Sequence, residues 1–330
     1  MYKEHFGLES DPFRVNPDPS FLYMADGHRE ALATLTYAVR ERKGFVVLTG
    51  EVGTGKTTIL NSLLSDLPST VETAYIFNTK LTVEDLFSYI LDEFSLTRPE
   101  PFRKSAALHQ LNSYLIERLQ KGQQTLLIVD EAQNLSVDLL EEIRMLSNLE
   151  TPQSKLLQIL LVGQPELSDL LNRADLRQLR QRVELLCRID PLTILETAEY
   201  VPARLRVAGH KTGDLFTDSS LHSIFRYTRG IPRVINVICD NALLATYAAG
   251  SPRVSDNTIH EVARDMGLSR TMHYRFYSPP NAGLPLEAPS LPLPITPVSP
   301  PAPMPMPELE EPRPRGWRRF IPARFAYLDD

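Results

Sequence analysis

The run Gly50-Glu51-Val52-Gly53-Thr54-Gly55-Lys56-Thr57-Thr58 constrains this chain more than any other feature. It follows the apolar stretch Gly44-Phe45-Val46-Val47-Leu48-Thr49 and leads into Ile59-Leu60-Asn61-Ser62-Leu63-Leu64. Strand, tight loop and helix in that order are the context in which G-x-x-x-x-G-K-[ST] forms a phosphate cradle. The glycines let backbone N–H groups turn inward, and the helix N-terminus places partial positive charge where phosphates would sit. Lys56 is then set to reach the β- and γ-phosphates, and Thr57 to offer its hydroxyl to Mg²⁺. The run Gly50–Thr58 is expected to hold a nucleoside triphosphate. The alternative, a glycine-rich loop that merely turns the chain, leaves the filled motif positions and their flanks unexplained.

Around this loop the pattern alternates apolar runs with amphipathic helical segments, as in a parallel sheet with crossover helices. Buried strands are expected at 44–49, 73–78, 125–130, 156–162 and 183–189. Helices are expected at 27–42, 57–65, 83–94, 104–120, 136–147 and 165–172. Strand signals stop near residue 190. The segments 194–208, 217–228, 232–249 and 255–266 read as four helices, with Thr217 and Ser255 at N-cap positions and Gly209, Gly230 and Gly250 between them. The fold class predicted is α/β, a P-loop NTPase with a helix-flanked parallel sheet. An ATPase domain over 1–190 precedes a small all-α lid over 191–268, and 269–330 forms a proline-rich tail. Fourteen of the 27 prolines lie between Ser278 and Pro314. That composition cannot build a ladder or a core, so the tail is expected to be extended and disordered. It ends in Arg315-Gly316-Trp317-Arg318-Arg319-Phe320, either a plain flexible end or a peptide that docks on a partner or an anionic membrane.

Composition excludes little but ranks the alternatives. The 330 residues allow two packed domains, and a net charge of −6 supplies no domain-wide attraction for nucleic acid. Cys187 and Cys239 stand far apart in apolar surroundings and read as buried free thiols. The N-terminus has no signal-peptide pattern, and no window approaches the ~18–20 apolar residues of a membrane span. A cytoplasmic location is expected, with the inner membrane as a surface the tail could reach.

Four further motifs bear on chemistry. Leu126-Leu127-Ile128-Val129 followed by Asp130-Glu131 reads as a central strand whose tip opens toward the phosphate loop. Asp130 is assigned to Mg²⁺ through its water shell, and Glu131 to orienting and deprotonating the attacking water. Gln164, at the tip of the next strand, reads equally as a group between γ-phosphate and water or as a turn residue before Pro165. Arg177, Arg180 and Arg182 precede the last strand. One of them, Arg182 first, is a candidate arginine finger for a neighbouring subunit; the alternative is a solvated basic helix end. Arg233 follows Pro232 in a first helical turn, a poor place for a cation unless an anion sits opposite, so it is expected to reach the γ-phosphate.

Together these elements resemble an AAA+ ATPase of the ExeA-like group, named for general secretion pathway protein A. The opening stretch, Tyr2…Phe6-Gly7-Leu8…Pro12-Phe13…Pro17-Asp18-Pro19…Phe21-Leu22-Tyr23…His28-Arg29-Glu30-Ala31-Leu32, adds to the likeness, which covers residues 1 to about 268. The resemblance implies an opening segment folded over adenine, making Phe6, Gly7, Pro12 and Phe13 candidate base contacts. It also implies ATP and Mg²⁺ as cofactors, a homo-oligomer, and an envelope or secretion-system partner reached through the tail. Members that energise type II secretion carry a membrane span and a peptidoglycan-binding domain after the ATPase, and here only the proline-rich tail follows. Pro202 is a second departure, costing about 3 kcal/mol inside a helix, so the first lid helix is expected to start or bend near Val201.

Three readings follow. The first is an ATP-hydrolysing machine serving secretion or polysaccharide export. The second is a transposition or replication helper, ranked lower because the chain is acidic and no winged-helix segment follows residue 268. The third is a nucleotide-dependent scaffold.

Overall fold

The structure, a computed structural model, describes residues 2–14, 21, 23–77 and 81–268. These residues fall within one compact unit, Met1–His273; the proline-rich segment lies outside the described residues. Five parallel strands form one sheet, β1 (Phe45–Gly50), β2 (Val71–Ile76), β3 (Gln124–Val129), β4 (Gln158–Gly163) and β5 (Leu185–Ile189). Their order is β2-β3-β4-β1-β5, so β1 lies inside the sheet between β4 and β5, and every pair is parallel.

The strands are apolar on both faces, as a sheet covered by helices requires. Phe45 and Val47 of β1, Leu127 and Val129 of β3, and Ile159 and Leu161 of β4 enter one core. Val46, Leu48, Leu126, Ile128, Leu160 and Val162 alternate into the other. On the first face pack α4 (Val83–Glu93), α5 (Lys104–Gln120), α6 (Val137–Leu146), α7 (Pro165–Leu171) and the short α8 (Arg177–Arg180). On the second pack α2 (Asp26–Arg40) and α3 (Lys56–Asp66), while α1 (Tyr2–His5) opens the chain.

After β5 come four helices, α9 (Ile194–Val207), α10 (Asp218–Thr228), α11 (Pro232–Ala248) and α12 (Asp256–Asp265). Side-chain caps start three of them. Thr193 and Glu196 form a reciprocal capping box, Thr217 accepts from Ser220 N, and Ser255 accepts from Thr258 N. α11 instead begins with Pro232, whose missing N–H would have been unpaired there anyway. The helix does not start near Val201: α9 begins at Ile194 and carries Pro202 inside it. The capping box fixes its start two turns ahead of the proline, and buried Tyr200, Val201, Arg204 and Leu205 hold both sides of Pro202 in the helical core.

The opening segment belongs to that core. Phe6, Leu8, Phe13 and Phe21 are buried among residues of α9–α12. Tyr2 OH donates to Asp240 Oδ1 at 2.8 Å, and Glu9 N donates to Ala208 O at 2.7 Å. The tie is completed by Arg204, only 7% exposed, whose Nε donates to Pro12 O at 2.6 Å and whose Nη1 donates to Tyr200 OH at 3.1 Å. Its guanidinium lies 4.9 Å from the Phe21 ring centroid, and among the described residues it has no carboxylate partner. Arg204→Met keeps the stem but strands Pro12 O. A loss of about 2 kcal/mol is expected in urea unfolding, with faster proteolysis inside residues 2–14; unchanged values would refute the tie.

Cys187 and Cys239 are both buried free thiols, and burial pushes Cys187 up to about 11. No helix among the described residues is long and apolar enough to cross a membrane.

Candidate functional site

β1 ends at Gly50 between β4 and β5, and the loop to Gly55 delivers the chain into α3. Strand β3 lies two places away, beyond β4, so its carboxyl tip opens on the same side of the sheet as the loop. Lys56, at the start of α3, is buried, and its Nζ donates to Gly50 O at 2.7 Å and to Glu51 O at 3.0 Å. Burial lowers its pKa, opposed by the charges of Glu131 and Asp130. Thr54 is buried, with its hydroxyl on Glu51 O, while Thr57 is exposed. His28 of α2 reaches the loop from behind, its Nε2 donating to Thr54 O at 2.7 Å.

Asp130 follows β3 directly and is buried. Tyr75 OH of β2 donates to its Oδ2 at 2.7 Å, and Glu131 N donates to its Oδ1 at 2.8 Å. Burial and then the Asp130 contact push the Tyr75 phenol well above its ordinary range. Glu131 sits in the left-handed backbone region, φ 50°, and reaches the cleft beside Lys56. Gln164 is the N-cap of α7 and also a neighbour of the acid, its Nε2 lying 3.2 Å from Glu131 Oε2. The turn reading thus matches its place before Pro165, and its side chain reaches Glu131 without lining the cleft itself.

The helical layer closes the other wall. Arg233 N donates to Gly53 O at 3.2 Å, so the first turn of α11 rests on the loop, and the exposed Arg233 side chain lines the cleft. Tyr200 OH donates to Asn236 Oδ1 at 2.8 Å, and both line the same space. The cleft has a volume of about 400 Å³, within the range of small-molecule sites. Gly53, Thr54, Gly55, Lys56, Thr57 and Thr58 form one side of it, with Val52 at the rim.

Not every residue picked from the sequence lines this cleft. Phe6 is 5% exposed and Phe13 2%, both inside the helical core; Phe13 meets Phe216 edge-on at 6.0 Å. The aromatic lining of the cleft comes instead from Phe21, Tyr23 and Tyr200. Arg182 donates through Nη1 to Ser147 Oγ at 2.8 Å, whereas Arg177 and Arg180 are exposed on or beside α8; none of the three lines the cleft of its own chain. His28 stood in the opening stretch that carries the family likeness but was given no role, and Tyr75 and Arg204 carried no motif signal. A strand tyrosine and a helix arginine look ordinary until the fold assembles them.

Among the described residues, no group of three or more His, Cys, Asp or Glu side chains is spaced to hold a metal. Of the two residues assigned to Mg²⁺ from the sequence, Thr57 lines the cleft, whereas Asp130 lies buried behind it with both carboxylate oxygens accepting hydrogen bonds, so its oxygens are placed to act through water rather than directly.

A family model for the AAA domain matches residues 39–171. General secretion pathway protein A of Aeromonas hydrophila is 44% identical over 270 residues, covering 81% of this chain and 48% of that protein. The chain thus spans about half the length of this relative. The Aeropyrum pernix ORC2 protein, solved as ADPNP-ADP complexes, superposes with TM-score 0.57 at 18% identity, covering 78% of this chain and 72% of that one. Drosophila ORC bound to DNA gives TM-score 0.60 at 19% identity, covering 78% of this chain and 65% of that one. At these identities the likeness is one of fold.

Proposed function

Because the chain belongs to the AAA family of P-loop proteins, in the group of general secretion pathway protein A, we propose that it hydrolyses ATP with Mg²⁺ as an oligomer. The observation carrying the proposal is the meeting of Lys56, Glu131 and Arg233 around one cleft, with Asp130 held behind them. Phe21, Tyr23 and Tyr200 form the apolar end suited to a purine, and the loop backbone faces the phosphates. Thr57 would hold Mg²⁺ directly and Asp130 through the ion's water shell, and the ion would supply charge neutralisation at the phosphates. Lys56 balances γ-phosphate charge as the bond to the leaving diphosphate breaks. Glu131 takes a proton from the water that attacks phosphorus, and Arg233 stabilises the terminal phosphoryl oxygens from the helical side.

An arginine of the 177–182 segment is assigned to the neighbouring subunit's site. Exposure supports Arg177 and Arg180 as able to reach outward, and Arg182 would first have to leave Ser147. ATPase rate per subunit is then expected to rise with protein concentration and to vanish on chelation of Mg²⁺. A rate per subunit that stays flat over a hundredfold dilution, about two decades, would remove the trans arginine from the proposal.

The setting proposed is an envelope process such as secretion-apparatus assembly or polysaccharide export, on the cytoplasmic side where ATP is available. Its support is the 44% identity to a secretion protein. Residues 269–330 are proposed to reach the partner. Pull-down from cells with the full chain and with a chain ending at Leu268 tests this; envelope proteins retained by both would refute it.

A further inference from the structure

We propose that Gln133 is a positioning residue for hydrolysis, holding the Glu131 carboxylate in its working orientation; the inference rests on Glu131 acting as the base. Gln133 lies in the short 3-10 turn Ala132–Asn134, immediately after the left-handed Glu131. Its Nε2 donates to Glu131 Oε2 at 2.6 Å, and its Oε1 accepts from Gln164 N at 3.0 Å. A main-chain N–H can only donate, so the carbonyl end of this carboxamide must face Gln164. The NH₂ end is thereby turned to Glu131, and the chemistry fixes the amide's orientation.

A second donor comes from the adjacent strand tip. Gln164 Nε2 reaches the same Glu131 Oε2 at 3.2 Å. One carboxylate oxygen therefore collects amide hydrogens from the ends of two paired strands, β3 and β4. The space for this arrangement is narrow. A Cβ on Gly163 would lie 2.7 Å from Gln133 Oε1, so a glycine at the end of β4 makes room for the carboxamide.

The consequence is geometric. Rotation of the Glu131 carboxyl group is restricted by two donors on one oxygen, which sets the direction of the other. A base that must otherwise search its rotamers is oriented before the water arrives. Gln133 needs no contact with substrate to do this.

The test uses the full chain and three proteins, the parent, Gln133→Met and Gln133→Glu, with fluorescent mant-ATP as the binding probe. Methionine keeps the length and removes the donor. In Gln133→Met, kcat is expected to fall about 10- to 100-fold while KM and the mant-ATP Kd stay within about twofold. In Gln133→Glu, the ionised carboxyl repels Glu131 at about pH 8, and on protonation toward about pH 5 it regains an O–H donor. The activity of that variant relative to the parent should therefore climb as pH falls.

A packing role alone would move Kd and Tm together with kcat, and would give the two pH profiles one shape. Parallel profiles, equal losses in binding and turnover, or a Gln133→Met kcat within about twofold of the parent or above it would overturn the proposal. A parent that binds mant-ATP and turns over no ATP overturns the hydrolase reading and the clamp with it. A working parent with an unaffected Gln133→Met overturns the clamp alone.

Discussion

Glu131→Gln is expected to bind ATP as the parent does and to lose turnover by about 10²- to 10⁴-fold, the usual contribution of a positioned general base. The substitution preserves side-chain size and removes the group that can accept a proton from water. Binding should persist because Lys56, the loop backbone and the wall formed by Tyr200 and Asn236 are untouched. Single-turnover ATP hydrolysis measured beside mant-ATP binding separates the two effects. A variant with normal turnover would show that some other group activates the water. A variant that no longer binds nucleotide would mean that Glu131 supports the loop rather than the chemistry.

Gly230→Ala is expected to be the most damaging single substitution outside the loop. Gly230 has φ +76°, and an added Cβ would stand 1.8 Å from Leu192 O. The two backbones are already joined, since Leu192 N donates to Gly230 O at 2.9 Å. Alanine must therefore adopt a left-handed conformation and also push apart a backbone pair. The combined cost is placed at about 4 kcal/mol or more, in the range reserved for backbone strain and broken packing. Thermal unfolding should move down by about 8 °C or more. Leu192 and Pro232 both line the cleft, so nucleotide binding should weaken in whatever folded protein remains. A melting temperature within about 2 °C of the parent would show that this turn yields more readily than its geometry implies.

The two variants probe levels of the structure that differ in how openly the sequence displays them. Strand β1 and the loop after it are evident from residues 44–58 alone, because the four apolar residues Phe45–Leu48 followed by a fixed glycine spacing admit one local fold. The same holds for Thr217 and Ser255, whose hydroxyls cap helices as their positions suggest. Pairing across the chain is less visible. The hydrophobicity of Phe6 and Phe13 demands burial but does not say against what, and the partner is a helical core far along the chain. Pro202 misleads because local propensity at one residue is outweighed by the capping box before it and the buried face around it. Gln133 is hidden for another reason: its role depends on the backbone turn at Glu131 and on the empty side chain of Gly163, neither of which a residue type announces.

The bond from Tyr2 to Asp240 spans 238 positions, and Phe6 and Phe13 are covered by helices that the ribosome makes some two hundred residues later. At roughly 5–20 residues per second, the first turn of the chain waits on the order of ten to fifty seconds for the surface it will bury against. Through that interval the sheet and its loop can assemble while an apolar leader stays uncovered. The nascent protein is thus a client for any chaperone that reads exposed aromatics near an N-terminus, and a bulky fusion placed there would compete with the late docking step. A tag at the N-terminus is then expected to lower the yield of soluble protein more than the same tag placed after residue 268.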